Sequence, residues 1–127
     1  MILSINHIQL VAEKDLVVQL RNFYCDVVGL TEGFRPAFER FSFWLYIGDK
    51  DVLHLITPKE GDDRSSLKSS FDHVAFKTTH YEDVLKKLKS LHIPFEEKLI
   101  PGLTAHQIFL RDPAGNRVEL NFDRSEY

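Results

Sequence analysis

The chain has a single cysteine, Cys25, so no disulfide can close within it. Cys25 sits in Phe23-Tyr24-Cys25-Asp26 with no cation beside it in sequence, and it reads as a packed thiol rather than a nucleophile. No run approaches the roughly 20 apolar residues of a membrane span. The N-terminus lacks a basic stretch, a long apolar run and a cleavage site, which predicts a cytoplasmic protein. Basic charge is in deficit: 16 Lys and Arg stand against 19 Asp and Glu, a net charge of −3. That balance leaves no footprint for nucleic acid or a membrane surface. The remainder, 43% hydrophobic and 28% charged, is ordinary for a globular protein. A chain of 127 residues makes one domain or two small modules sharing a core. At this size about two-thirds of the unfolded surface is buried on folding, so no staple is needed.

The chain contains one pattern written twice. Asn6-His7-Ile8-Gln9-Leu10 is followed, 47 positions after His7, by His54 in Val52-Leu53-His54-Leu55. Asp72-His73-Val74-Ala75-Phe76 is followed, 46 positions after His73, by Glu119 in Val118-Glu119-Leu120. Phe43 to His54 and Ile108 to Glu119 are both 11 positions. Internal duplication accounts for this spacing.

The elements repeat as well. Residues 4–11 read as a strand, and 15–28 as a helix with Leu16, Leu20, Phe23 and Val27 at helical spacing and Gly29 as its stop. Residues 31–38 form an irregular strand, broken by Pro36 as at an edge or bulge. Strands follow at 40–47 and 51–56, joined by the turn Gly48-Asp49-Lys50. The polar stretch 58–70 reads as a linker between module one (1–57) and module two (71–127), and its Asp62-Asp63 as a solvated loop. The second module predicts a strand at 71–78, then a helix at 81–92 opened by a Thr79-x-x-Glu82 capping box. Val84, Leu85, Leu88 and Leu91 mark that helix's buried face. Strands at 94–99, 104–111 and 117–122 follow, the last two joined by Asp112-Pro113-Ala114-Gly115-Asn116. Each half is thus strand, helix and three strands, an α+β arrangement.

Side chains alternate along a strand, so His7 lies opposite Ile8 and Leu10, His73 opposite Val74 and Phe76, and Glu119 opposite Val118 and Leu120. With a helix over each apolar face, the three project from the other side. His54 fits less cleanly, because Val52 and Ile56 share its face. Two imidazoles and a carboxylate form a set that leaves coordination positions open. His54 would add a third imidazole. Such a site suits Zn, Ni, Fe or Mn better than Mg or Ca. His106, on the strand before the last hairpin, is placed near Glu119 as an acid or base for the substrate or as a plain strand residue. Arg35 and Arg40 flank the bend at Pro36, where either could bind an anionic substrate group. His80 and His92, at the ends of the second helix, read as exposed.

These features resemble the vicinal oxygen chelate superfamily, which includes glyoxalase I, bleomycin-resistance proteins, fosfomycin-resistance enzymes and extradiol dioxygenases. The match is carried by His7, by Phe23-Tyr24-Cys25-Asp26-Val27-Val28-Gly29-Leu30, by Phe71-Asp72-His73-Val74-Ala75-Phe76, and by Asp112-Pro113-x-Gly115-Asn116-x-x-Glu119-Leu120. The resemblance implies two tandem βαβββ modules forming a cupped mixed sheet around a central metal, and a homodimer. His7, His73 and Glu119 match ligand positions, and His54 stands where bacterial glyoxalase I has a second glutamate. An imidazole there lowers the ligand charge and changes the available base. The expected activity is a metal-dependent lyase or isomerase on a small substrate chelated through neighbouring oxygens, with Glu119 or His54 moving the proton. The alternatives are extradiol ring cleavage with the same ligands, and a non-catalytic drug- or metabolite-binding protein of the bleomycin-resistance type.

Overall fold

The computed structural model describes residues 1, 3–37, 39–65, 67 and 71–126. Phe38, at the end of the expected 31–38 strand, and residues 66 and 68–70 of the expected linker lie outside the described residues. The chain divides into two compact units, Met1–Lys68 and Ser69–Tyr127. Each is one βαβββ motif, so the α+β class and the tandem modules expected from sequence are the observed ones.

In the first unit, β1 (Ile8–Val11) leads through α1 (Lys14–Phe23) to β2 (Thr31–Gly33), β3 (Ser42–Ile47) and β4 (Lys50–Ile56). The sheet order is β1-β4-β3-β2, with β1 parallel to β4 and the other pairs antiparallel. The helix crossover is what allows a parallel pair next to a meander. In the second unit, β5 (His73–Lys77), α2 (Tyr81–Ser90), β6 (Glu96–Leu99), β7 (Ala105–Arg111) and β8 (Arg117–Asp123) repeat the scheme, in the order β5-β8-β7-β6. No helix among the described residues is long and apolar enough to cross a membrane.

One face of each sheet is apolar and helix-covered. Val17 and Leu20 of α1 are buried, as are Leu45, Leu53 and Leu55 of the strands they cover. In the second unit Ile108, Leu110, Val118, Leu120 and Phe122 are buried, and Tyr81 of α2 packs its ring edge-on to Phe122. The first helix does not run unbroken to residue 28. Tyr24–Val28 widen into a single π-turn, closed by Gly29 at φ 101°, where Gly29 and Leu30 both donate to the Tyr24 carbonyl.

The expected capping box does not form. His80 takes the N-cap position in the left-handed region at φ 58°, and no side chain caps α2. Thr79 Oγ1 instead lies 2.8 Å from His80 Nδ1. At the other end His92 is left-handed too, at φ 55°, with His92 N–H donating to Lys89 O and Ile93 N–H to Leu88 O. That paired geometry normally takes glycine. His92→Gly is therefore expected to stabilise the protein by about 0.5–1 kcal/mol, the relieved strain being partly offset by the more flexible unfolded chain. A rise in the urea unfolding midpoint at unchanged slope would show it.

Candidate functional site

The two sheets carry the same register on their open faces. Gln9 faces His54 across β1 and β4, and Ala75 faces Glu119 across β5 and β8. Trp44 faces His54 from β3, and Phe109 faces Glu119 from β7. His7 and His73 stand two residues before Gln9 and Ala75, at equivalent places. β1 begins at Ile8, so His7 immediately precedes its strand, whereas His73 opens β5.

In the first unit the His7 and His54 rings stack with centroids 3.9 Å apart. The Trp44 indole stacks on His54 as well, at 4.0 Å and 4° from parallel. His54 is thus a buried imidazole with a ring on each face. Its Nε2 lies 2.7 Å from Asp51 Oδ2. Strict alternation would put Asp51 on the opposite face. A bulge resolves this: Leu45 pairs with Leu53 and Tyr46 with Asp51, so Val52 has no partner and the parity of β4 flips. Asp51 then shares the face of Tyr46, which is that of Trp44 and His54. The hydrogen bond from His54 holds the Asp51 carboxyl below the usual carboxylate range.

In the second unit His73 Nε2 lies 3.3 Å from Glu119 Oε1. Glu119 is only 5% exposed, and Asn121 Nδ2 donates to its Oε2 at 2.8 Å. His73 Nδ1 is 2.5 Å from Asp72 Oδ2, and this bond, with help from Arg117, keeps the Asp72 carboxyl low. His7 Nδ1 is likewise held, 2.8 Å from Asn6 Oδ1. Each opening histidine is therefore pinned at Nδ1 by the side chain before it, which leaves Nε2 outward. His54 is pinned the other way round, through Nε2.

The structure brings His7 to His54, and His73 to Glu119. Among the described residues no group of three or more His, Cys, Asp or Glu side chains stands placed to hold a metal ion. The donor chemistry nevertheless fits one. Ligands at about 2.1 Å from a shared metal stand roughly 3 Å or more apart, which the His73–Glu119 contact matches. A metal-binding imidazole normally donates its other N–H to a carboxylate or carbonyl oxygen, as Asp72 and Asn6 provide.

Other expected residues lie elsewhere. His106 pairs with Phe122, not Glu119, and shares the helix-covered face of Ile108 and Leu110. It is 7% exposed, and its ring lies 4.5 Å from that of Tyr81. The alternation His106-x-Ile108-x-Leu110 signalled this. Arg35 donates to the adjacent Pro36 carbonyl. Arg40, in contrast, lines a hollow of about 360 Å³ with Gln9, Trp44, His54 and Ile56. Asp51 was missed because only the bulge brings it to this face. Burial pushes the Cys25 thiol up, which disfavours a thiolate.

A profile of the Glyoxalase/Bleomycin resistance protein/Dioxygenase superfamily matches residues 4–120. The chain belongs to this superfamily. Solved structures similar to it include a glyoxalase family protein from Bacillus anthracis, at TM-score 0.73 and 21% identity over 97% of both chains. Lactoylglutathione lyase from Agrobacterium tumefaciens gives TM-score 0.68 at 22% identity, over 96% of this chain and 95% of that one. The genomically encoded fosfomycin resistance protein of Listeria monocytogenes gives 0.71 at 15%, over 98% and 99%. No curated protein matches the sequence. At these identities the neighbours establish the superfamily fold and leave the reaction to the residues of the site.

Proposed function

We propose that the protein is a metal-dependent glyoxalase-type lyase or isomerase acting on a small substrate chelated through neighbouring oxygens. His7, His73 and Glu119 would hold a divalent transition metal (Zn, Ni, Fe or Mn). The observation that carries this reading is the doubled anchoring, Asn6 on His7 and Asp72 on His73, which engages each ring through Nδ1, and in the second unit sets the His73 Nε2 beside the buried Glu119 carboxylate. When bound, such a metal polarises substrate oxygens and stabilises negative charge that develops on them. Glu119 has one oxygen toward His73 and the other fixed by Asn121. His54 is assigned the proton rather than a ligand's place. With Nε2–H donated to Asp51 its Nδ1 keeps a lone pair, and the flanking rings of His7 and Trp44 hold it in plane.

Elemental analysis of the purified protein before and after chelation, followed by an activity screen with the metal found, tests the proposal. About one metal per chain that chelation removes together with activity is expected; full activity after complete metal removal would overturn it. Asp51→Asn is expected to lower kcat about 10- to 100-fold with metal content unchanged, because the amide no longer fixes the His54 ring by a charged bond. An unaltered kcat would return His54 to the metal. Extradiol ring cleavage shares the ligand set and needs an acid–base group; His106 faces the helix, so His54 would have to serve there too.

A further inference from the structure

We propose that the hollow beside His54 binds a monoanionic carboxylate with a flat apolar body, held at its charged end by Arg40. The proposal rests on the enzymatic reading only for calling this ligand a substrate, and not for its binding. The hollow, of about 360 Å³, is the size of a small metabolite rather than a coenzyme. Its walls are the Trp44 indole and Ile56, with Gln9 at the side of β1 and Glu39 exposed at the rim.

Arg40 is half-buried, and two of its nitrogens, Nε and Nη2, donate to a single acceptor, the Thr57 carbonyl, at 2.9 and 2.7 Å. That contact fixes the guanidinium plane. Nη1 has no partner among the described residues, and no carboxylate there pairs with the group. A pre-oriented, uncompensated guanidinium in a partly apolar hollow is a carboxylate receptor. One guanidinium, already partly engaged and with Glu39 near, matches one negative charge better than two.

Ser42 is 4% exposed, and its Oγ has no hydrogen-bond partner among the described residues. Ser42 faces Ile56 across β3 and β4 and so shares the sheet face of Trp44 and His54, but it is not among the residues that line the hollow.

The internal duplication supplies a control for the simpler view that the fold needs these groups. Ser42 opposite Ile56 corresponds to Gln107 opposite Asn121, so the place of Arg40 is taken in the second unit by Ala105. The corresponding hollow there, lined by Ala75, Lys77, Thr104, Ala105, Asn121, Phe122 and Asp123, has no arginine. The same sheet is built in that unit without the arginine. Arg40 is therefore particular to the first unit's hollow, whereas the place of Trp44 is taken in the second unit by another aromatic, Phe109.

The test uses chelated, metal-free protein, with benzoate and cinnamate as probes and benzamide and benzyl alcohol as neutral counterparts. Calorimetry reads affinity, and the fluorescence of Trp44, the one tryptophan in the chain, reads location. At least one acid is expected to bind saturably and change Trp44 emission, with neutral counterparts at least about 10-fold weaker. Arg40→Met is expected to weaken the acid roughly 10- to 100-fold, and Arg40→Lys by less, since the point charge remains without the fork. Absence of any binding, equal binding of neutral probes, or Arg40→Met affinity equal to wild type would each overturn the proposal. Should Arg40→Met not fold, the wild-type comparison of acids with neutral probes decides alone. Metal content plays no part in these readouts, so their failure is distinct from failure of the metal-enzyme reading.

Discussion

Glu119→Gln is expected to cost more than about 100-fold in metal affinity while leaving the metal-free protein folded and slightly more stable. The two halves of this expectation have separate causes. Groups that merely orient a ligand change metal affinity about 10- to 100-fold when lost, so a larger loss marks a ligand itself. Glutamine keeps the shape and a carbonyl oxygen as acceptor for Asn121, turns the oxygen beside His73 into an NH2 group, and removes the charge that a divalent cation needs. In the metal-free state the Glu119 carboxylate is 5% exposed and has one amide donor and an imidazole at 3.3 Å. Neutralising it relieves a desolvation cost of about 1 kcal/mol. Titration of the chelated protein with Zn²⁺ or Ni²⁺ gives the first quantity, and the metal-free thermal midpoint gives the second. Asn121→Ala serves as the scale. It removes the 2.8 Å bond that orients the carboxylate and should fall within the 10- to 100-fold range. Equal losses in Glu119→Gln and Asn121→Ala would demote Glu119 to an orienting group.

The parts legible in the sequence are those governed by local periodicity. Alternation put Ile8 and Leu10 on one face of their strand, and Val118 and Leu120 on one face of theirs; Ile8 pairs with Leu53 and Leu10 with Leu55, and Val118 and Leu120 are buried. Equal spacings from Phe43 to His54 and from Ile108 to Glu119 reported equal hairpin lengths, hence equal registers. What escaped depends on a neighbouring strand or on single backbone states. Counting parity from Asp51 to His54 fails because the bulge at Val52 exists only against β3. His106 was placed by proximity along a hairpin, whereas face matters more than distance: its partner is Phe122, and Glu119 belongs to Phe109. Thr79-x-x-Glu82 has the letters of a capping box, but His80 in the left-handed region turns the chain away from the geometry that box needs. Arg40 outranks Arg35 only once Thr57, 17 residues later, is seen to accept from its guanidinium.

Asp112→Ala is expected to lower stability by about 3 kcal/mol, which for a domain of this size is a fall of roughly 10 °C in Tm. Asp112 is 4% exposed and organises the turn that joins β7 to β8. Its Oδ1 accepts the backbone N–H groups of Ala114 at 2.9 Å and Asn116 at 2.8 Å, and its Oδ2 accepts Asn116 Nδ2 at 2.8 Å. Its own backbone closes the turn from both sides, with N–H to Asn116 O and C=O from Gly115 N–H. Three donors converge on one carboxylate, and each charged bond contributes about 1.5–3 kcal/mol in isolation. The sum is not reached, because Pro113, Ala114 and Gly115 are exposed and water can replace part of what is lost. Asp112→Asn separates charge from geometry. Its carbonyl can still accept the two backbone donors, but its amide would face the Asn116 amide, donor against donor, so about half the loss is expected. The consequence for the site follows from register. The turn fixes Arg111 opposite Arg117, and hence Phe109 opposite Glu119. A slip of one residue would carry Glu119 to the helix-covered face. Asp112→Ala should therefore lose metal affinity as well as stability, whereas Asp112→Asn should keep most of the former. A Tm for Asp112→Ala within about 2 °C of wild type would mean that backbone bonds and Pro113 hold the turn without the carboxylate.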